Sequence, residues 1–360
     1  MKGEKNMWLS TALTLIALGV IAFICALAAK GWDFSELGTG KFETREYEVS
    51  EDFRSISIDS DTEDITFAAS EDGRCRVIFF ESEKERHSAE VRGNELTIQK
   101  EDSRKWYDHL ALFSFKSAKI TVYLPRGEYA SLRIAQSTGD ITLPGDFTFD
   151  SIDISVSTGD VDCSASALGE VSNAASTGDI RLKGISAKEL KLAVSTGRVE
   201  VIGAACAGEL SIKVSTGKTV LEDVTCFSLV SNGSTGSITL KKVIAEGTIN
   251  IKRSTGDVKL EGCDASELEI KTDTGDVSGT LLTEKVFIAH SDTGRIRVPE
   301  TTGGGRCKIT TDTGSIRMEI VKYEIWTADI KIGTASHRKP SRNCMKGQIL
   351  SAFSTSRKYL

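Results

Sequence analysis

Beyond residue 130 the hydrophobic and polar positions of this chain alternate in short bursts, and successive pairs of bursts flank a Thr-Gly dipeptide. The glycines of these dipeptides are Gly139, Gly159, Gly178, Gly197, Gly217, Gly236, Gly256, Gly275, Gly294 and Gly314, spaced by 19 or 20 residues. Self-similarity at so regular a period is the signature of a solenoid. Seven residues before the glycine stand Leu132, Ile152, Val171, Leu190 and Leu210, and two residues after it Ile141, Val161, Ile180 and Val199, with similar residues in later copies. Apolar positions at −7 and −5, then at +2 and +4, describe two strands of period 2 separated by a turn. A helix would space them by three and four.

The predicted fold is therefore all-β: a single-stranded β-helix, or β-solenoid, with coils of 19 to 20 residues. Each coil holds two strands and a variable return segment such as Ile202–Glu209. One coil cannot bury its apolar face alone, whereas coils stacked at about 4.8 Å form continuous parallel sheets and a rod on the order of 50 to 70 Å long. The general crossover rule favours a right-handed wind. At the turn, glycine supplies φ > 0. The Thr before it in every copy, and the Ser or Asp before that, offer side-chain oxygens to corner amides left outside the ladders.

The regular solenoid covers 131–321. Residues 50–130 read as irregular N-terminal coils and a cap, with strands at Phe53–Asp59, Ile65–Ala68, Arg76–Phe80, Glu95–Gln99 and Ile120–Leu124 and a degenerate corner at Asp61–Ile65. Residues 30–49 read as a linker. In the tail, 322–360, Tyr323–Ile332 is a further strand candidate and the remainder is a cap or disordered.

From Met7 to Ala29 the chain carries no charged residue, a length that spans a hydrocarbon core of about 30 Å as one transmembrane helix. Lys2 and Lys5 precede it, so the positive-inside bias leaves residues 1–6 in the cytoplasm and places the rest outside the cell membrane. A cleaved signal peptide is the rival, because Ala26-Leu27-Ala28 resembles an A-x-A site, but signal h-regions are shorter than this run. A lipoprotein reading of Cys25 meets bulky residues at Ala22-Phe23-Ile24, where a lipobox has small ones.

The net charge of −6 hides an asymmetry: residues 1–30 carry +2 and 322–360 carry +6, which leaves −14 on 31–321. An acidic body argues against a nucleic-acid partner. None of the eight cysteines forms a C-x-x-C pair, and no cofactor or metal site is expected. Cys206 and Cys226 each lie nine residues past a corner glycine, so they stack on adjacent coils as reduced packing thiols. Asp140, Asp160 and Asp179 follow consecutive corner glycines, as do Asp257 and Asp276, with Arg198, Lys218 and Arg295 interrupting the row. The expectation is a solvated, charge-balanced ladder, not a calcium site.

The corners Ser137–Asp140, Ser157–Asp160, Ser176–Asp179 and Ser254–Asp257, the strand Ile120–Pro125 and the stretch Ser291–Ile316 give the chain a family resemblance. It resembles the bacterial "putative adhesin" β-strand repeat proteins of unknown function, including LiaG-like proteins of cell-envelope stress operons. The resemblance covers about residues 50–321 and implies a β-helix at the cell surface, often behind one transmembrane helix. It implies no catalytic residues.

Some β-helices are polysaccharide lyases, but His87, His109, His290 and His337 share no spacing and the outward charges vary between coils. The chain therefore reads as noncatalytic: a rigid surface scaffold that binds an envelope protein or wall polymer. The alternative is an accessory or regulatory protein of an envelope stress response, acting through its membrane anchor. Between two predicted strands, Trp106, Tyr107, Phe113 and Phe115 form the densest aromatic cluster outside the anchor. This segment caps the exposed solenoid end or serves as an interaction patch. Buried aromatic side chains contribute about 1.5 to 3 kcal/mol each. As a cap, its Phe113→Ala and Phe115→Ala variants should melt at lower temperature and oligomerise; unchanged melting with lost liposome or partner binding would establish the patch.

Overall fold

The computed structural model describes residues 42–82, 85–101, 118–281, 286–301, 305–320, 326–332, 335–339 and 349–353, with Thr14, Leu18, Gly19 and Ile21. Those four are helical, and the rest of the Met7–Ala29 span lies outside the described residues, as do Trp106, Tyr107, Phe113 and Phe115. Among the described residues no helix is long and apolar enough to cross a membrane.

The body is an all-β solenoid of stacked parallel strands. One ladder runs through the residues seven before each corner, pairing Leu132, Ile152, Val171, Leu190, Leu210, Leu229, Ile249 and Leu268 in register. A second runs through the residues two after it, from Ile141 and Val161 to Ile296 and Ile316. Both columns point inward and are almost wholly buried, so the alternating pattern marks the face that each strand hides.

The return segment is more regular than its sequence. It forms a third parallel ladder in two stretches: Phe149 pairs with Ala167, and Ala187, Cys206, Cys226, Ala245 and Ala265 pair in turn. These small side chains are buried. They lack the β-branched signal that announces the other two ladders.

Both ends abandon the parallel pattern. Ser55–Ser60 lies parallel to Gly127–Thr138 and to Glu95–Lys100, while Asp64–Ala69 lies between Ile141–Leu143 and Lys119–Leu124. The outer edges are then covered by antiparallel strands. His87–Arg92 pairs with Glu95–Lys100, Cys75–Ser82 with Lys119–Leu124, and Phe42–Val49 with Cys75–Ser82. The expected linker 30–49 is thus corrected: its second half is an edge strand whose charged, half-exposed residues disguise it. At the far end Trp326–Ile332 adds one more parallel strand, and Ala335–Lys339 and Ile349–Phe353 close the two last edges antiparallel. The tail therefore supplies edge cover, which a solenoid needs to stop end-to-end association.

The coil has two kinds of left-handed corner, and they differ physically. At the Thr-Gly corner φ runs from 127° to 157° where it is positive, and a Cβ on any one of these glycines from Gly159 onward would overlap the carbonyl oxygen of the glycine one coil earlier. The glycine amide donates to the Thr carbonyl of the next coil at 2.8 to 3.0 Å. The glycine amides are thus met by backbone, and the Thr hydroxyl is not the acceptor expected from sequence. At the second corner Gly184, Gly203 and Gly262 have φ of 61° to 67°, and a Cβ there meets nothing closer than 3.8 Å. Asp223 and Lys242 take the same conformation at the equivalent places, at 53° and 49°. Gly217→Ala should therefore cost about 3 kcal/mol or more, whereas Gly203→Asp should cost no more than about 1 kcal/mol. Chemical denaturation of the two variants checks the contrast.

Candidate functional site

Immediately after the Thr-Gly corner the coils present a polar ladder. The amide of Asp160 donates to Asp140 Oδ1 at 2.8 Å, that of Asp179 to Asp160 Oδ1 at 2.8 Å, and that of Arg198 to Asp179 Oδ1 at 2.8 Å. The same device recurs from Asp276 to Asp257 and from Arg295 to Asp276. The second carboxylate oxygens of Asp160, Asp179 and Asp276 meet cations: Arg181 bridges Asp160 and Asp179 at 2.9 and 2.8 Å, and Arg295 holds Asp276 through two nitrogens. Burial pushes the Asp160 carboxyl up, but the Asp179 amide and Arg181 outweigh it and hold the group below the usual carboxylate range. Among the described residues no group of three His, Cys, Asp or Glu side chains is placed to hold a metal ion.

The N-terminal rung carries a buried charge cluster that sequence reading missed. Its degenerate corner has Glu63 where later coils have glycine, and the side chain turns inward. His87 Nδ1 lies 2.8 Å from Glu81 Oε2, and His87 Nε2 lies 3.6 Å from Glu63 Oε2. Arg45 donates to Glu81 Oε1 at 2.9 Å, the amides of Asp61 and Thr62 donate to Glu63 Oε2, and the His87 ring stacks on Phe79. All three titratable side chains are 2% exposed or less. Burial pulls the His87 imidazole down, but Glu63 and Glu81 outweigh it and raise its pKa to about 9. For Glu63 burial pushes upward, and His87, the Thr62 amide and Lys100 overcome it, leaving a pKa of about 2. The cluster is an internal brace joining the first corner to the antiparallel cover, with no access for a ligand.

Two features stand further along the rod. Arg253 points inward and is 4% exposed. It donates to Thr219 Oγ1 at 3.1 Å and Ser231 Oγ at 2.9 Å, and burial lowers its pKa to about 10, so it stays charged. Its guanidinium fills the space a side chain on Gly233, the residue beside it one coil earlier, would need. Outside this point lies a groove of about 350 Å³ that runs across several coils. Farther on, His290 Nδ1 lies 2.6 Å from Thr310 Oγ1 and His290 Nε2 2.7 Å from Asp292 Oδ1. His290 and Thr310 are in-register neighbours on an outward strand face, so ladder spacing alone accounts for their contact.

Cys75, Cys163, Cys206, Cys226 and Cys263 are free thiols. Cys206 and Cys226 stack in register, and burial raises both, Cys226 to about 12. They pack in the small-residue column and are poorly suited to nucleophilic chemistry.

Stacked coils, structural glycine corners and a polar outer ladder define a β-solenoid repeat protein. A family model described as Toastrack DUF4097 matches residues 53–206 and again 205–349. The chain belongs to that family, a bacterial adhesin-type β-repeat family of unknown function. No curated protein matches it. Similar solved structures include a "putative adhesin" from Bacteroides fragilis NCTC 9343, at 16% identity over 81% of this chain and 97% of that one, with a TM-score of 0.25. A "putative lipid binding protein" from Parabacteroides distasonis ATCC 8503 shows 16% identity over 82% and 98%, with a TM-score of 0.28. A "putative cell adhesion protein" from Clostridium sporogenes ATCC 15579 shows 10% identity over 67% and 100%, with a TM-score of 0.23.

The buried cluster makes stability depend on pH from both sides. The raised His87 pKa contributes stability fully present below 6.5 and lost as pH climbs through about 9. The lowered Glu63 pKa contributes stability present above 4.5 and lost as pH falls toward about 2. The melting temperature should therefore peak between these limits, and His87→Gln should lower the peak and remove its alkaline limb; melts recorded across pH test both.

Proposed function

We propose that this chain is a noncatalytic cell-envelope surface protein, a rigid β-solenoid scaffold that binds a partner or wall polymer. Met7–Ala29 is its single-pass anchor, with the amino terminus in the cytoplasm and the solenoid outside. One observation carries this reading: the division of labour within each coil. The inward columns seven before and two after the corner glycine, and the corner itself, repeat because packing and coil contact demand it, while outward positions are free to change from coil to coil. The column four residues before the corner glycine, for example, reads Ala174, Ala193, Lys213, Asn232, Lys252, Lys271, His290 and Thr310. Continuous parallel ladders hold these side chains at fixed spacing, so the surface is pre-organised and binding orders little further. Exposed residues on a rigid frame are where a recognition surface is built.

Protease added to intact cells should digest the solenoid while the chain stays with the membrane fraction. Photo-crosslinkers on the outward columns should join it to wall polymer or an envelope protein. A fully protected body, or crosslinks no different from those of an unrelated anchored protein, would overturn the reading.

A further inference from the structure

We infer that the groove over Gly233 and Arg253 is a binding site for a linear, phosphate-bearing polymer lying along the rod; this deepens the scaffold reading above and rests on it. Lys213, Lys252 and Lys271 occupy one outward column and line the groove. Register places Lys271 one coil from Lys252, and Lys252 two coils from Lys213 with Asn232 between. At about 4.8 Å per coil the three ammonium groups span roughly 14 Å along the axis. All three are exposed, and none has an ion-pair partner among the described residues. Lys191, Lys241 and Lys242, elsewhere on the rod, face carboxylates.

A second observation points the same way. The Arg253 guanidinium lies beneath this column, and its side-chain partners are two hydroxyls with no carboxylate. An uncompensated buried cation is costly, and its field is screened less than that of a surface charge. An anion in the groove supplies the counter-charge that the fold omits. The hydroxyls of Ser215, Ser234 and Ser254 line the same groove as further donors.

The shape of the charge selects the occupant. The basic column is one side chain wide; Asp273 lines the groove beside Lys271, and Asp292 and Asp312 follow it on later coils, on a body that carries −14 over residues 31–321. A flat anionic bilayer would meet those carboxylates as well as the lysines. An extended chain of anionic groups follows the three lysines and Arg253 and meets one carboxylate in the groove, Asp273. Lysine is a point charge with three donors that suits phosphate oxygens in many orientations. Among the described residues no aromatic side chain lines the groove, so single-stranded nucleic acid finds no stacking platform there.

The test uses the purified full-length chain in neutral detergent with long-chain inorganic polyphosphate as probe. It is compared with a Lys213→Gln, Lys252→Gln, Lys271→Gln triple variant, and thermal melts confirm that both fold alike. Wild-type binding should weaken steeply with salt, and the triple variant should bind about tenfold more weakly or worse, with a salt slope shallower by about 2 to 3. Absence of wild-type binding at low salt, or equal binding by the variant, would overturn the inference. So would lysine-dependent binding seen only with phosphatidylglycerol vesicles or an oligothymidylate. If polyphosphate fails while outward-column crosslinks to the envelope persist, the groove is rejected and the scaffold stands; a protease-protected body rejects the scaffold whatever polyphosphate does.

Discussion

Everything in this molecule depends on how closely one Thr-Gly corner approaches the next. The carbonyl oxygen of each corner glycine occupies the space where the following glycine would carry a Cβ, and each glycine amide reaches the Thr carbonyl of the next coil. A side chain at one corner would push two coils apart, and all three ladders cross that gap. Packing density inside a protein leaves little room to absorb such a shift. The outward freedom of the coils is a consequence of this rigidity, because residues that face solvent need only be compatible with a strand.

The charged features follow the same logic at different depths. Aspartates beside the corner spend one oxygen on a backbone amide of the next coil and the other on an arginine where one is present. They therefore complete the ladder in a place where the backbone lacks a partner. Glu63 stands where later corners have glycine, and its carboxylate turns inward to brace the end of the rod through His87. Arg253 reverses the pattern, with its charge inside and no acid to meet it.

Much of this was legible in the sequence, and the exceptions are instructive. Ten glycines at a period of 19 or 20 and the columns through Leu132 and Ile141 announce the two main ladders, because packing between coils forces like residues into like positions. The third ladder was hidden because Ala187, Ala245 and Ala265 carry little strand signal. Phe42–Val49 and His87–Arg92 were hidden because an edge strand has only one side to bury. The Glu63–His87–Glu81 brace joins residues that have no common spacing, and only the antiparallel fold of the first rung brings them together. Arg253 left a readable signal: an arginine in an inward column that holds Val156, Val194 and Val214 in earlier coils and Thr272, Ser291 and Thr311 in later ones, with glycine beside it one coil earlier.

The opposed strands at both tips also determine how such a molecule can change its length. Within the body each coil meets its neighbour through the same parallel geometry, so a whole unit of 19 or 20 residues inserted between two coils recreates two interfaces like the one it interrupts. At the tips the strand direction reverses, and a further coil would find no matching surface. Duplication in the middle is thus the permitted route to a longer reach, and the molecule's extent becomes a quantity that unequal recombination can adjust in steps of one coil without redesigning either end.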